Sequence, residues 1–329
     1  VSETKEWFLS MSVTSPDAVH HPKVSRRDAG HGSGALKRAL GTMSAGIALC
    51  LVFGFLGVVH AAGDSFAAFR GGFAAVGLGT GIGFCLFGAW KRALASVALP
   101  AAAILSLVPH WAVPLGSPGP LSIYQKNLHY QTSDVSGIAE DILASGADIV
   151  ALQEVHWRTA PIIATLSDAY PWRAVCPFHL KVGGVALLSR HPFADGGATC
   201  SLQPGMVSAR IETPAGPVTA ASVHFRWPWP HSQADQARGI AAELADLEGP
   251  VVVAGDFNMV RWSATVDSIA RAARSEPVGP AAVTLPFLSL PFAGVSIDHV
   301  LAPGGHGTVE LRPRLGSDHR GLLARVALP

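Results

Sequence analysis

The sequence predicts an α/β (α+β) fold: a four-layer sandwich of two packed mixed β-sheets flanked by helices, preceded by three transmembrane helices. Three observations predict it. The mean hydropathy is +0.34 with only 14% charged residues, and the apolar excess is concentrated in the first third of the chain. From residue 121 onward, short β-branched runs alternate with helical patterns. In that region strands outnumber helices, which favours two sheets packed on each other.

Residues 1–35 are rich in Ser, His, Asp, Lys and Arg and read as a disordered cytoplasmic tail. Residues 36–115 read as a membrane region. Its first segment, 39–59, runs 21 residues without a charge, the length needed to cross a bilayer core. A cleaved signal peptide is the rival reading, but its apolar stretch is shorter and nearer the N-terminus. The second segment, 71–90, carries seven glycines, which let neighbouring helices approach closely. The third, 93–115, contains Pro100 and ends in an interfacial stretch starting at Trp111. Lys37 and Arg38 precede the first span, and Lys91 and Arg92 lie between the second and third. The positive-inside rule puts both pairs in the cytoplasm. Three crossings then make a multi-pass protein of the cell (inner) membrane with everything after Gly116 extracytoplasmic. If the third segment does not cross, the orientation reverses.

After the breaker-rich 116–120 linker, a domain over 120–329 follows. LSIYQKNLHY reads as a strand, DVSGIAEDILASG as a helix and DIVALQEV as a strand, with a helix over 158–168. WRAVCPF, GGVALLSR, MVSARIETP and PVTAASVHF read as strands, the last two joined as a hairpin at Pro214–Gly216. Ser232 and Asp235 make a capping-box pattern opening a helix with Ala237, Ile240, Ala241, Leu244 and Leu247 on one face. VVVAGDF is a strand, SATVDSIARAA a helix, and SIDHVLA, TVELRP and GLLARVAL are closing strands.

From Gly116 onward the chain has 15 Lys+Arg against 18 Asp+Glu, a net −3, so it lacks the basic excess of a protein that grips long nucleic acid. Among the four cysteines no zinc-type spacing occurs. Cys50 and Cys85 sit in apolar runs, whereas Cys176 and Cys200, in the polar half, are equally compatible with a disulfide or with two buried thiols.

Several apolar strands end in polar residues. VVVAGDFN ends in Asp256 and Asn258, DIVALQEV in Gln153 and Glu154, and LSIYQKNLHY in Asn127 and His129; PVTAASVHF carries His224, SIDHVLA Asp298, and GSDHRG Asp318 and His319. Each alone is ordinary turn chemistry or a solvated strand end. Together they call for one explanation, a shared rim where rigid strands present a polar site.

In this order the motifs resemble the endonuclease/exonuclease/phosphatase superfamily, the DNase-I-like fold, over roughly residues 120–329. They are Asn127, QEV around Glu154, His224, GDFN at 255–258, TLP at 284–286, IDHV around Asp298 and SDH at 317–319. Position 129 departs from the pattern, with His where many members carry an amide or acid. The resemblance implies a Mg²⁺-dependent phosphoesterase, with Mn²⁺ as a substitute, that hydrolyses a phosphodiester or phosphomonoester by in-line water attack. It implies Glu154, Asn127 and Asp318 as metal ligands and Asp256 as the group that orients or deprotonates the water, with His319 the alternative base. Asn127, Asn258, His224 and His319 become donors to phosphoryl oxygens, and Asp298 fixes the His319 tautomer. Arg226 and Trp227, in HFRWPWP, are candidates for substrate contact. The expected partners are a phosphate-ester substrate (lipid, small molecule or nucleic acid) and the lipid bilayer, with no obligate protein partner. An extracytoplasmic nuclease, or an inactive binding domain on a membrane anchor, are the alternatives.

Overall fold

The computed structural model describes residues 26–114, 116–179, 181–287 and 293–329. Most of the expected 1–35 tail lies outside the described residues. In the apolar third, α1 (Arg26–Phe53), α2 (Ala62–Ala68), α3 (Arg70–Leu86) and α4 (Trp90–Trp111) form a bundle. Among the described residues, two helices are long and apolar enough to cross a membrane, Gly34–Phe53 within α1 and Trp90–Trp111. The expected second span corrects to α3, whose 17 residues reach about 25 Å, short of a bilayer core. It reaches spanning length only with α2, from which it is bent by 65°. Close approach is visible at the α3 glycines. A Cβ on Gly77 would meet Pro100 Cγ at 2.5 Å, and one on Gly81 would meet Val97 Cγ1 at 2.3 Å.

The rest of the chain is the expected four-layer sandwich. In order come β1 (Leu121–Asn127), α5 (Ser136–Ser145), β2 (Ile149–Val155), α6 (Pro161–Thr165), β3 (Trp172–His179), β4 (Gly183–Ser189), β5 (Phe193–Cys200), β6 (Met206–Thr213), β7 (Gly216–His224), α7 (Gln233–Ala245), β8 (Val251–Asp256), α8 (Ala264–Ala272), β9 (Glu276–Pro277), β10 (Leu285–Pro286), β11 (Gly294–Val295), β12 (Asp298–Ala302), β13 (Gly307–Arg312) and β14 (Gly321–Val326). One six-stranded sheet has the order β13-β14-β1-β2-β4-β3, the other β5-β6-β7-β8-β12-β9.

Side-chain alternation explains the layering. One set of strand residues (Ile123, Ile149, Leu187, Val207, Ala220, Val252, Val300, Ala324) packs sheet against sheet. The alternate set on the first sheet (Tyr124, Val150, Leu152, Leu188) packs on Ile138, Ile142 and Ile162 of α5 and α6. On the second sheet, Val223, Val251 and Val253 pack on Ile240, Leu244, Val266 and Ile269 of α7 and α8. Strands covered on both faces lose the polar alternation of a half-solvated sheet, as the fully buried β1 and β8 show.

Three readings need correction. The helix expected over 158–168 is only Pro161–Thr165. Ser232 does not cap α7 through its side chain, because its hydroxyl accepts from Arg226 Nη1 at 2.7 Å. The strand β5 was not expected, since its Ala, Asp and Gly residues carry no apolar alternation. Cys176 and Cys200 form a disulfide that joins β3 to β5, and so one sheet to the other.

Candidate active site

Register brings the polar strand ends together. In the second sheet His224 pairs with Asp256 across the parallel β7–β8 ladder, and Asp256 pairs with Asp298 across the antiparallel β8–β12 ladder. In the first sheet Asn127 pairs with Gln153. Glu154 then sits in a β-bulge, where the β2–β4 register shifts between Gln153 and Val155. Its φ is +57°, and Asn258 (+46°) and His129 (+59°) share this left-handed conformation. Three non-glycine residues held there at one rim mark a place where surrounding structure overrides local preference.

The facing strand ends form a connected network. Asn127 Nδ2 donates to Glu154 Oε1 (3.1 Å) and Asp256 Oδ2 (2.9 Å), bridging the two sheets. Glu154 Oε2 accepts from Tyr130 N–H at 2.6 Å, and Asp256 Oδ1 from Asn258 N–H at 2.7 Å. His224 Nε2 lies 3.6 Å from Asp256 Oδ2 and 4.0 Å from Glu154 Oε1. His319 Nδ1 lies 2.8 Å from Asp298 Oδ2, and its Nε2 lies 3.9 Å from Asp256 Oδ2. Asn258 Nδ2 donates to Phe225 O (2.8 Å) and lies 3.5 Å from His224 Nε2.

Burial decides the charge states. It pulls the His319 imidazolium down, but Asp298 and Asp256 outweigh that and raise it to about 10. Burial, aided by the charge on His319, depresses His224 to about 3, so that ring is neutral at pH 7. Burial also pushes the carboxyl of Asp256 up, to about 7, and raises that of Glu154 against the hydrogen bonds from Tyr130 and Asn127. Two imidazoles at one rim thus hold opposite protonation states, because only His319 has a hydrogen-bonded carboxylate of its own.

Glu154, His224, Asp256, Asn258 and His319 line a pocket of about 880 Å³ with His129, Tyr130, Phe178, Lys181, Arg226 and Trp227, while Asn127 and Asp298 lie buried behind it. The Phe178 ring stands 4.6 Å from that of His224. Arg226 and Trp227 both face the pocket, and Arg226 uses one guanidinium N–H on Ser232.

Part of the rim carries oxygen donors of the kind a hard cation takes. Glu154 offers a carboxylate, Asp318 on the same pocket wall has a buried Oδ1 without a hydrogen-bond partner among the described residues, and Asn127 Oδ1 keeps a lone pair beyond the one accepting from His129 N–H. Such an all-oxygen set suits Mg²⁺ or Mn²⁺. Asp256, Asp298 and His319 also cluster within 4.8 Å. Both Asp298 oxygens are already engaged there, by Gln125 Nε2 and by His319, so this group reads better as a hydrogen-bonded relay.

The model of the Endonuclease/Exonuclease/phosphatase family matches residues 125–319, more than half of the chain. The chain belongs to the endonuclease/exonuclease/phosphatase family. No curated protein sequence matches it. Among solved structures it is similar to an endonuclease/exonuclease/phosphatase from Beutenbergia cavernae DSM 12333 (22% identity, TM-score 0.51, covering 63% of this chain and 71% of that one). It is also similar to a functionally unknown conserved protein from Enterococcus faecalis V583 (16% identity, TM-score 0.50, 64% and 100%). Beta toxin from Staphylococcus aureus, solved with bound magnesium ions, matches at 13% identity and TM-score 0.48 over 63% of this chain and 99% of that one. Membership makes a phosphoester hydrolase fold the frame for the site.

Sequence reasoning gave no role to four residues that support these side chains, although it noted the TLP segment that carries one of them. Gln125 Nε2 bridges Asp298 Oδ1 and Gln153 Oε1 between the sheets. Lys126, fully buried, donates to the carbonyls of Pro313, Arg314 and His319 at 2.8–2.9 Å, pinning the loop that carries Asp318 and His319. Thr284, in the TLP segment, accepts through Oγ1 from Asp298 N–H at 3.1 Å. Tyr130 supplies its N–H to Glu154. The signal for the first two was present: a glutamine and a lysine inside a strand with no solvated face.

Proposed function

We propose that the chain is a membrane-anchored, divalent-cation-dependent phosphoester hydrolase whose catalytic domain lies outside the cytoplasm. The observation that carries this reading is the convergence of His224 and Asp256 beside Glu154 in one pocket, with Asp298 in register behind them.

Glu154, Asp318 and Asn127 would hold Mg²⁺ or Mn²⁺. The bound cation supplies neutralisation of the anionic phosphoryl oxygens. Asp256 orients the attacking water and takes its proton. Burial makes it a stronger base than a surface aspartate, and the Asn258 N–H keeps its second oxygen fixed. His319, kept protonated by Asp298, presents Nε2–H to a phosphoryl oxygen or to the departing one. Neutral His224 donates through Nε2, and the Asn258 amide adds its second N–H where charge accumulates, whereas the Asn127 amide, whose N–H groups go to Glu154 and Asp256, holds those two carboxylates in place. Arg226 and Trp227 receive the remainder of the substrate.

Three features support the orientation. Lys37 Nζ lies 5.9 Å from the centre of the Phe87 ring, so the start of α1 and the end of α3 share the bundle end that bears Lys91 and Arg92. The 54–69 connection packs instead on the catalytic domain, in keeping with both lying away from that end of the bundle. The disulfide Cys176–Cys200 fits an oxidising compartment.

The test uses the full chain in lipid nanodiscs with bis-p-nitrophenyl phosphate. Hydrolysis with Mg²⁺, its loss in EDTA, and a fall of about 10²–10⁴-fold for Asp256→Asn are expected. Equal rates for the variant would refute the assigned chemistry.

A further inference from the structure

The aromatic loop after His224 touches the membrane region directly. Ser65 Oγ, in α2, donates to Trp229 O at 2.9 Å, and the His60 and Trp229 rings lie 6.4 Å apart. Trp229 stands between Trp227 and Pro230, both of which line the catalytic pocket. One wall of the pocket is therefore seated on the segment that joins α1 to α2.

That segment is apolar and bare. Val58 is 85% and Val59 78% exposed, with Phe55 and Leu56 exposed beside them at the end of α1. Trp227 (61%) and Trp229 (48%), on the loop that Ser65 and His60 contact, are exposed as well. An exposed patch of this kind in a soluble protein marks an interaction surface. Here it is continuous with the lipid-facing side of helices long enough to span, and tryptophan is the residue that settles at the headgroup level.

The attachment is built to hold an angle. Asp64 of α2 accepts from the N–H groups of Ala264 and Thr265 at the start of α8 (2.9 Å each). Trp262 Nε1 donates to Ala67 O at 2.8 Å, and Ala67 joins the core beneath Phe225 and Phe257. At the end of α4, His110 O accepts from Ala281 N–H at 2.7 Å, and the Trp111 ring meets that of Trp262 at 6.2 Å. Two separate attachments fix the domain's tilt on the bundle, so the pocket mouth keeps one relation to the membrane plane.

We infer that the pocket opens at the bilayer surface and takes a phosphoester carried on a membrane lipid, with the 55–59 turn and the tryptophan loop resting in the headgroup layer. This rests on the phosphoesterase reading above. The net −3 of the domain gives a polyanion no general attraction, whereas Lys181 and Arg226 at the pocket supply local positive charge for one headgroup phosphate. In the reaction the oxygen of water adds to phosphorus, its proton passes to Asp256, one P–O bond breaks, and the departing oxygen takes a proton from His319. The bond that breaks decides whether a lipid alcohol or a lipid phosphate stays in the membrane.

The experiment reconstitutes the full chain into vesicles of phosphatidylcholine, phosphatidylethanolamine, phosphatidylglycerol or sphingomyelin. Both water-soluble and membrane-retained phosphate products are measured, with bis-p-nitrophenyl phosphate and plasmid DNA as parallel substrates. At least one lipid should turn over faster than DNA. The double variant Val58→Asp/Val59→Asp should lose at least 5-fold on that lipid while hydrolysing the soluble diester at the unaltered rate. Trp229→Ala, which leaves the turn intact, should lose lipid activity selectively as well. Hydrolysis of the soluble diester with DNA preferred over every lipid, or a double variant unaffected on lipid, overturns the inference and leaves the phosphoesterase reading standing. No hydrolysis of any substrate overturns both. A protein partner covering Val58 and Val59, seen as their protection in lipid-free detergent extracts, also overturns it.

Discussion

His319 Nδ1 lies 2.8 Å from Asp298 Oδ2, and the same ring turns Nε2 toward Asp256 at 3.9 Å. Asp298 is itself held by Gln125 Nε2 at 2.7 Å. The imidazole therefore has one nitrogen committed to structure and the other free for chemistry, the division of labour expected of a buried carboxylate–histidine pair.

The charge on His319 depends on that pair. In the metal-free protein the ring should keep its proton through neutral pH and lose it near the raised value of about 10. In Asp298→Asn the hydrogen-bonded carboxylate is gone, burial is opposed only by the charges of Asp256 and Asp318, and the titration of the ring should move to lower pH. Heteronuclear NMR of the ring nitrogens reads this directly, and activity on a soluble diester should fall about 10²–10³-fold. An unchanged His319 titration in the variant would show that Asp298 does not set the charge.

Lys126 predicts a coupled loss of stability and positioning. Its ammonium satisfies three carbonyls around the 313–319 loop, and burial lowers its pKa to about 8. Lys126→Met keeps the volume but strands those acceptors, at a cost of about 2–4 kcal/mol. Because the His319 carbonyl is one of them, kcat should fall with little change in KM. Urea unfolding and steady-state kinetics together check this; wild-type kcat in a destabilised variant would confine Lys126 to a structural role.

Much of this was legible in the sequence. Runs such as VVVAGD announce buried strands because three β-branched residues cannot sit comfortably in a helix or at a solvated edge, and the polar residues that end them mark the rim. The order of Glu154, His224, Asp256, Asp298 and His319 carries the family. What was hidden depends on register. That His224, Asp256 and Asp298 stand side by side follows from how β7, β8 and β12 pair, which no local pattern states. The left-handed backbone of Glu154 is equally silent, since a glutamate in a bulge reads like one in a strand. β5 escaped because its glycines and Asp195 obscure the alternation. Asp64 was invisible as a clamp, because its partners lie 200 residues away.

The disulfide gives a stability prediction. Cys176 and Cys200, 24 residues apart, close a loop across the two sheets, and the chain-entropy estimate for that length is about 3.5 kcal/mol. Replacing both by alanine should lower the Tm of the catalytic domain by about 7–14 °C in scanning calorimetry. A shift under 2 °C would mean that the unfolded state is already constrained in this region.

Asp148 supplies a pH dependence remote from the catalytic groups. Its carboxylate accepts from the N–H and the hydroxyl of Ser122 at 2.9 and 2.6 Å, and His191 Nε2 lies 3.0 Å away. Burial raises its pKa, but these partners outweigh burial and hold it below the usual value. A folded pKa below the unfolded one, about 3.9, contributes stability that is complete above that value and is lost as pH falls through the depressed one. Asp148→Asn should therefore be less stable than wild type at pH 7, with the gap narrowing below about pH 4. Urea midpoints at pH 7 and pH 2.5 measure it, and a constant gap would contradict the assignment.

Asp64 sets how firmly the domain stands on its anchor. Its buried carboxylate accepts from Ala264 N, Thr265 N and Thr265 Oγ1, so the first turn of α8 is capped by a residue of the membrane region. A carboxylate at a helix N-terminus is favoured both by hydrogen bonding and by the helix dipole. Ser263 separately accepts from Val266 N–H, so α8 keeps one cap of its own when Asp64 is lost. Asp64→Ala should cost about 1–2 kcal/mol locally without unfolding the domain. The readouts are faster hydrogen exchange at Ala264 and Thr265 and quicker proteolysis within residues 112–119 in nanodiscs, with activity on a soluble diester retained. Unchanged exchange at both amides would mean that the contact does not persist in the bilayer, and the fixed tilt of the domain would go with it.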